Sequence, residues 1–309
     1  MHQATAIPNQ DRSAPAMRLA ASASVGVAAS LVIVKVVAWV MTGSVSMLGS
    51  LTDSGLDLMA SLVTLIAVRA ALVPPDDDHR FGHGKAEGLA SLFQAAVVAG
   101  SAVFLTFESI RALGRSQPPV REEVGIAVSL IAIVLTLALV MLQRWAIRRS
   151  GSLAIRADSL HYTGDLAMNL GVIAALLLST RAGLVWADGA AGIAIAAYLV
   201  IGSFRIGVQA VDMLMDKEFS DADRERIFNL VLGNRQVRGL HELKTRSAGL
   251  RSFIQMHIEL DGDLSLYEAH MIADEVEAAV GEAFPNAEIM IHKDPMGVEG
   301  ASRTAEELS

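Results

Sequence analysis

The chain contains no cysteine. Disulfides and thiolate metal ligands are therefore both excluded. An excess of basic charge is missing too: 25 Lys and Arg stand against 33 Asp and Glu, a net charge of −8. The basic surface of a nucleic-acid binder is not there. Neither a His-Glu-x-x-His pair nor a Gly-x-Ser-x-Gly elbow occurs, so the two commonest hydrolase signatures are absent. The opening stretch MHQATAIPNQDRSAPAMR lacks the basic, apolar and cleavable succession of a secretory signal. There is no long low-complexity run and no long-period repeat.

What the chain has is apolar length. Of 309 residues, 52% are hydrophobic and the mean hydropathy is +0.44, values that point to a membrane protein. Crossing a bilayer takes about 20 apolar residues. Six segments reach that length: roughly 17–40, 47–73, 87–113, 123–147, 153–179 and 186–211. The connections after the second and fourth carry Arg69, Arg80, Lys85, Arg144, Arg148, Arg149 and Arg156. The other three carry Arg111, Arg115, Arg121 and Arg181. The basic excess places the former connections, and with them both termini, in the cytoplasm.

The composition changes after the sixth segment. Residues 1–211 hold 15 basic and 13 acidic side chains; residues 212–309 hold 10 and 20. The expected layout is a cytoplasmic N-terminal tail (1–16), a six-helix transmembrane domain (17–211), a cytoplasmic domain (212–296) and a flexible tail (297–309). The third part reads α-β-β-α-β: an acidic-capped helix from SDADRERIFNLVLG, a hairpin around Gly249, the amphipathic SLYEAHMIADEVEAAVGEAF and a closing strand AEIMIHK. That order predicts an α+β domain of the ferredoxin or metallochaperone kind, with helices on one face of a three-stranded sheet. In FIQMHIEL the strand period puts Ile254, Met256, Ile258 and Leu260 on the core face, and His257 on the other.

The chemistry sits inside the membrane. SLTDSGLDLMASLVTLIAV, from Ser50 to Val68, carries Asp53 and Asp57 four residues apart, on one helical face. An ionised Asp at the helix centre costs about 2.5–3.5 kcal/mol on insertion scales. The fifth segment, RADSLHYTGDLAMNLGVI, offers His161 and Asp165 at the same spacing. If the two helices pack, three carboxylates and one imidazole converge. That set suits a tetrahedral divalent ion of the zinc kind. Lys35 on the first segment is the nearest intramembrane counter-charge, and Asp158 stands one turn before His161, at the cytosolic end.

Two further groups are candidate metal sites. PPDDDHRFGHGKAEG places His79 and His83 beside a run of acids. The terminal domain contains His241, His257, His270 and His292, followed by Asp294.

The chain resembles the cation diffusion facilitator family. The likeness is carried by MTGSVSMLGSLTDSGLDLMAS, HRFGHGKAEGLASL, QRWAIRRS, RADSLHYTGD, AHMIADEVE and IHKDP, and so runs through nearly the whole chain. It implies a transport site of Asp53, Asp57, His161 and Asp165. It implies a loop site of Asp76, His79 and His83, with Asp76 chosen from three successive acids. It implies a binuclear cytoplasmic site of His241, His257, His270, His292 and Asp294, and a homodimer interlocked by Lys85 and Asp216. One departure stands out. Where the family relative has Gln, this chain has Lys293, and an ammonium there is expected to oppose one of the two cytoplasmic metals.

The resulting expectation is a secondary active transporter, not an enzyme. It would export Zn²⁺, or alternatively Cd²⁺ or Fe²⁺, from a bacterial cytoplasm across the inner membrane in exchange for protons. Zn²⁺ would serve as both substrate and regulatory ligand. The alternatives are an intramembrane metal-dependent hydrolase and a passive metal channel or sensor. Four ligands close the coordination shell and leave no open water position, which favours carriage over hydrolysis.

Overall fold

The computed structural model describes residues 10–43, 45–113, 123–182 and 186–297. Arg115, Arg121 and most of both terminal tails lie outside the described residues. Six long helices come first: α1 (Gln10–Thr42), α2 (Val45–Ala71), α3 (Ala86–Leu113), α4 (Glu123–Ser150), α5 (Leu153–Ala182) and α6 (Ala187–Leu214). Among the described residues, α1, α2, α3, α4 and α6 contain stretches long and apolar enough to cross a membrane, judged by length and composition. α5 is 30 residues long, and Arg156, Asp158, His161 and Asp165 lower its hydropathy. Asp158 and His161 are buried against other helices.

One expected boundary needs correction. Residues 10–16, assigned above to a tail, belong to α1. Ser13 and Met17 are buried, and the Ser13 hydroxyl donates to the Arg149 carbonyl on α4 at 3.1 Å.

Within the helical body, Arg12–Val211, α5 is the hub. Asp158 is fully buried. It accepts from Ser24 Oγ on α1 at 2.6 Å, from Gln143 Nε2 on α4 at 2.8 Å and from Gln94 Nε2 on α3 at 3.3 Å. One turn on, the Tyr162 hydroxyl lies 2.7 Å from Ser61 Oγ on α2. Two residues of α5 thus tie it to four other helices. Water cannot compete at this depth, so such bonds orient the helices as well as hold them. Close approach does the rest. A Cβ built on Gly202 of α6 would meet the Leu160 methyls of α5 at 2.8 Å.

The second body begins at Asp212. It comprises α7 (Asp221–Leu232), β1 (Gly239–Ala248), β2 (Arg251–Leu260), α8 (Leu266–Ala283) and β3 (Ala287–Pro295), in the expected order. The sheet runs β1-β2-β3, with β1 antiparallel and β3 parallel to β2. Gly249, at φ +63, turns the hairpin. Ser220 caps α7, and Ser265 with Glu268 forms a capping box on α8. Bonds from Ser265 hold the Glu268 carboxyl below the usual range.

Ile227, Phe228 and Val231 of α7 and Ile272, Val276 and Val280 of α8 pack with Ile254, Met256 and Ile258 of β2 in one core. Both helices therefore cover one face of the sheet. The opposite face is left for His257 and its neighbours, as the strand period requires.

Candidate metal sites

α2 and α5 bring Asp57 against His161 and Asp165. His161 Nε2 lies 2.8 Å from Asp57 Oδ1 and 3.6 Å from Asp165 Oδ2. One ligand atom from each of the three falls within 4.8 Å of the others. His161 is buried, with its ring edge-on to Tyr162 at 5.6 Å. The Tyr162–Ser61 bond fixes the same two helices one residue away. Asp53 stands one turn earlier on α2, exposed and outside this group.

Lys35 is closer than its helix suggested. Its ammonium donates to Ser50 O at 3.0 Å and Ser54 Oγ at 2.7 Å, both on α2. It thereby sits within electrostatic reach of Asp57, Asp165 and Asp53. Lys35 is the nearest intramembrane counter-charge in the sequence, and its seat against α2 comes from packing alone. Ser50 accepts through its backbone carbonyl and only Ser54 through its side chain, so no residue pattern marks this seat.

In the loop between α2 and α3, Asp76 is the acid that faces the histidines. Its Oδ1 accepts from the backbone N–H of His79 at 2.6 Å and of Asp78 at 3.1 Å. His79 Nδ1 lies 3.3 Å from Oδ1, and His83 Nε2 lies 3.4 Å from Oδ2. The two rings stand 4.4 Å apart. Gly82, at φ +78, permits the turn between them. Asp77 points elsewhere, to Arg80 at 2.8 Å. The backbone bond from His79 holds the Asp76 carboxyl below the usual range, so it stays ionised and available to a cation.

On the open sheet face, His241, His257 and His292 occupy one cross-strand row, paired in register. Asp294 is buried beneath them. Its Oδ2 lies 2.9 Å from His257 Nδ1 and 3.3 Å from His241 Nε2, and its Oδ1 lies 3.0 Å from His292 Nε2. A β-bulge after His241, with Glu242 at φ 48, turns that residue towards the row. The bulge was not legible in the sequence.

His270 does not join this group within one chain. It is exposed on α8, with Nδ1 3.4 Å from Asp274 Oδ1. Lys293 corrects the expectation drawn above. The strand continues to Pro295, and Lys293 is in register with core-facing Ile258. Its side chain therefore leaves the sheet on the face opposite His292 and Asp294. Asp216 is paired with Arg246 at 3.3 Å, and Lys85 precedes α3 in the other body.

Three groups of hard oxygens and imidazoles, without any thiolate, fit a borderline divalent cation. The sequence is also similar to known cation transporters. The cation efflux transmembrane domain matches residues 21–215, and the cation efflux protein cytoplasmic domain matches residues 219–296. The cation-efflux pump FieF of Shewanella oneidensis is 47% identical over 283 residues, covering 92% of this chain and 95% of that protein. FieF of Klebsiella pneumoniae is 44% identical over 284 residues, covering 92% and 94%. Among solved structures, the metal-bound C-terminal domain of the CzcD transporter from Thermotoga maritima is 29% identical, with a TM-score of 0.24, covering 25% of this chain and 93% of that one. Its helices, its two domains and its relatives together establish that the chain belongs to the cation efflux family, the cation diffusion facilitators, as a transporter of the YiiP type.

Proposed function

We propose that the protein exports Zn²⁺ from the cytoplasm by proton antiport, as a homodimer in a bacterial inner membrane. The observation that carries this reading is the 2.8 Å contact between His161 Nε2 and Asp57 Oδ1. A nitrogen and a carboxylate oxygen at that distance share one proton. Two ligands of a tetrahedral zinc ion, each at about 2.0–2.1 Å, stand roughly 3.3 Å apart. Cation and proton therefore compete for one position. A cation entering must displace the proton, and a proton returning must displace the cation.

Asp165 and Asp53 complete the shell in this reading, each one helical turn from a ligand already in place. Emptied of cation, three carboxylates in a poorly solvated site repel one another, which favours proton uptake. A proton gradient, acidic outside, then drives release on that side. Alternating access moves the site between faces by rocking of helix groups. Cd²⁺ and Fe²⁺ suit the same donor set and are the competing substrates.

Asp76, His79 and His83 are assigned to a loop site. His241, His257, His292 and Asp294 form the cytoplasmic site, with His270 contributed from a second copy of the chain. Bound Zn²⁺ there would neutralise Asp294 and draw the three strands together. Lys85 and Asp216 are assigned to the dimer interlock near the membrane surface.

Zinc titration of the purified protein by calorimetry, in two buffers of different ionisation enthalpy, tests the shared proton. Wild type should release protons on binding, and His161→Ala should release fewer. Equal proton release from both would remove the competition on which antiport rests.

A further inference from the structure

On the helical body, α4, α5 and α6 enclose a groove of about 310 Å³. Arg144 of α4, Arg156 of α5 and Arg205 of α6 all line it. Among the described residues none of the three forms an ion pair. Arg156 donates to the neutral Gln209 Oε1 at 3.0 Å. Three guanidinium groups from three helices thus converge without an acid between them. Their mutual repulsion is a cost that an anion would relieve.

The groove's level in the membrane follows from the helices. Arg144 lies six residues before the end of α4, and Arg156 three residues after the start of α5. Both are beside the turn at Gly151, at the end read as cytoplasmic. Trp145, with Arg149 stacked 4.6 Å over its ring, marks the same level as an interface, where indoles collect. The walls change character along the groove. Arg156 and Gln209 line one part; Leu160, Ile206 and the exposed Tyr198 line another.

We propose that this groove binds the phosphate headgroup of an anionic phospholipid, with the acyl chains lying along the apolar wall. A basic pocket between transmembrane helices on the cytoplasmic side is the recognised setting for such headgroups. Arginine suits phosphate through paired, parallel N–H donors. Arginines at cytoplasmic helix ends also set topology, but topology does not require them to share one groove. Nor does the groove suit a divalent cation, which three guanidinium groups repel. A lipid held here would bridge α4 and α6 to α5, the helix that carries His161 and Asp165. Lipid composition would thus act on the element bearing the transport site.

The test uses the full chain, delipidated in detergent, with phosphatidylglycerol and phosphatidylcholine as probes and bound lipid counted by native mass spectrometry. Wild type should prefer phosphatidylglycerol. The Arg144→Gln/Arg205→Gln variant should bind it on the order of thirtyfold more weakly, since each surface charge contributes about fivefold. Binding of phosphatidylcholine should be the same in both. Equal phosphatidylglycerol binding by variant and wild type overturns the proposal. So does displacement of the lipid by millimolar inorganic phosphate, which would make this a free-anion site. Should the variant not fold, wild-type melting in the two lipids decides: a higher melting temperature in phosphatidylglycerol is expected, and equal melting contradicts it.

Discussion

His161 of α5 and Asp57 of α2 are joined nitrogen to oxygen at 2.8 Å, too short a span to hold a cation between them. The pair is closed by a proton and has to open by about half an ångström to ligate zinc. Removing Asp57 should therefore strike transport harder than folding. Asp57→Ala is expected to lower zinc flux in proteoliposomes by at least about 100-fold, comparable with or beyond loss of a supporting ligand contact. The purified variant should remain folded by circular dichroism. Flux at the wild-type level would show that Asp57 does not ligate the transported ion.

Asp165 sits on the other side of the same nitrogen, at 3.6 Å. Asp165→His exchanges an oxygen donor for a softer nitrogen. The ratio of Cd²⁺ to Zn²⁺ flux should shift severalfold from wild type in paired assays. An unchanged ratio would place Asp165 outside the coordination shell.

Asp158 lies three residues before His161 but serves the scaffold. Its carboxylate accepts from Ser24, Gln94 and Gln143. Asp158→Ala removes their shared acceptor: Ser24 keeps Ala20 O and Gln143 keeps Ser24 Oγ, but Gln94 Nε2 is left unsatisfied, a loss of about 1–3 kcal/mol for such a group. The melting temperature should fall sharply. Asp158→Asn keeps the shape and one acceptor oxygen and should fall less. Equal melting of both variants and wild type would mean the four-helix junction does not depend on this residue.

Lys293 is expected to have no bearing on cytoplasmic metal. It is in register with Ile258, on the face away from His292 and Asp294. Lys293→Gln should leave zinc stoichiometry and affinity of the full-length protein unchanged in calorimetry. A variant that binds an additional zinc ion would mean that the ammonium reaches the cluster after all.

The loop site gives a pH expectation with a defined sign. Asp76 is held below the usual carboxylate range by the His79 backbone bond. A carboxyl depressed in the folded state stabilises its turn above the unfolded value, near 3.9, and loses that contribution as pH falls through the depressed one. The Asp76 turn should therefore persist under acid in which an ordinary Asp is half protonated. An Asp76 carboxyl resonance titrating at or above about 3.9 in NMR would contradict this.

Much of this was legible in the residues. The spacing of Asp53 and Asp57, and of His161 and Asp165, already placed each pair on one face of a helix. Strand alternation in FIQMHIEL put His257 on the open face of the sheet, where it is found. What the periods do not carry is three-dimensional packing. Lys35 reaches α2 through two serine partners, and no period links those positions. The Glu242 bulge that turns His241 towards His257 is a break in strand register, which alternation assumes away. His270 pairs with Asp274 within one chain, and no strand or helix period places it against the row of His241, His257 and His292. Residues 10–16 are polar by composition, yet Ser13 finds a carbonyl on α4 and the helix begins early.

Flux measurement in sealed proteoliposomes, with zinc outside and an imposed pH difference, tests the central claim most directly. The account predicts zinc accumulation against its own gradient when the lumen is more acidic than the outside, with a matching proton efflux. Collapse of the pH difference should abolish accumulation. Zinc that only equilibrates, whatever the pH difference, would contradict antiport and identify a passive pathway.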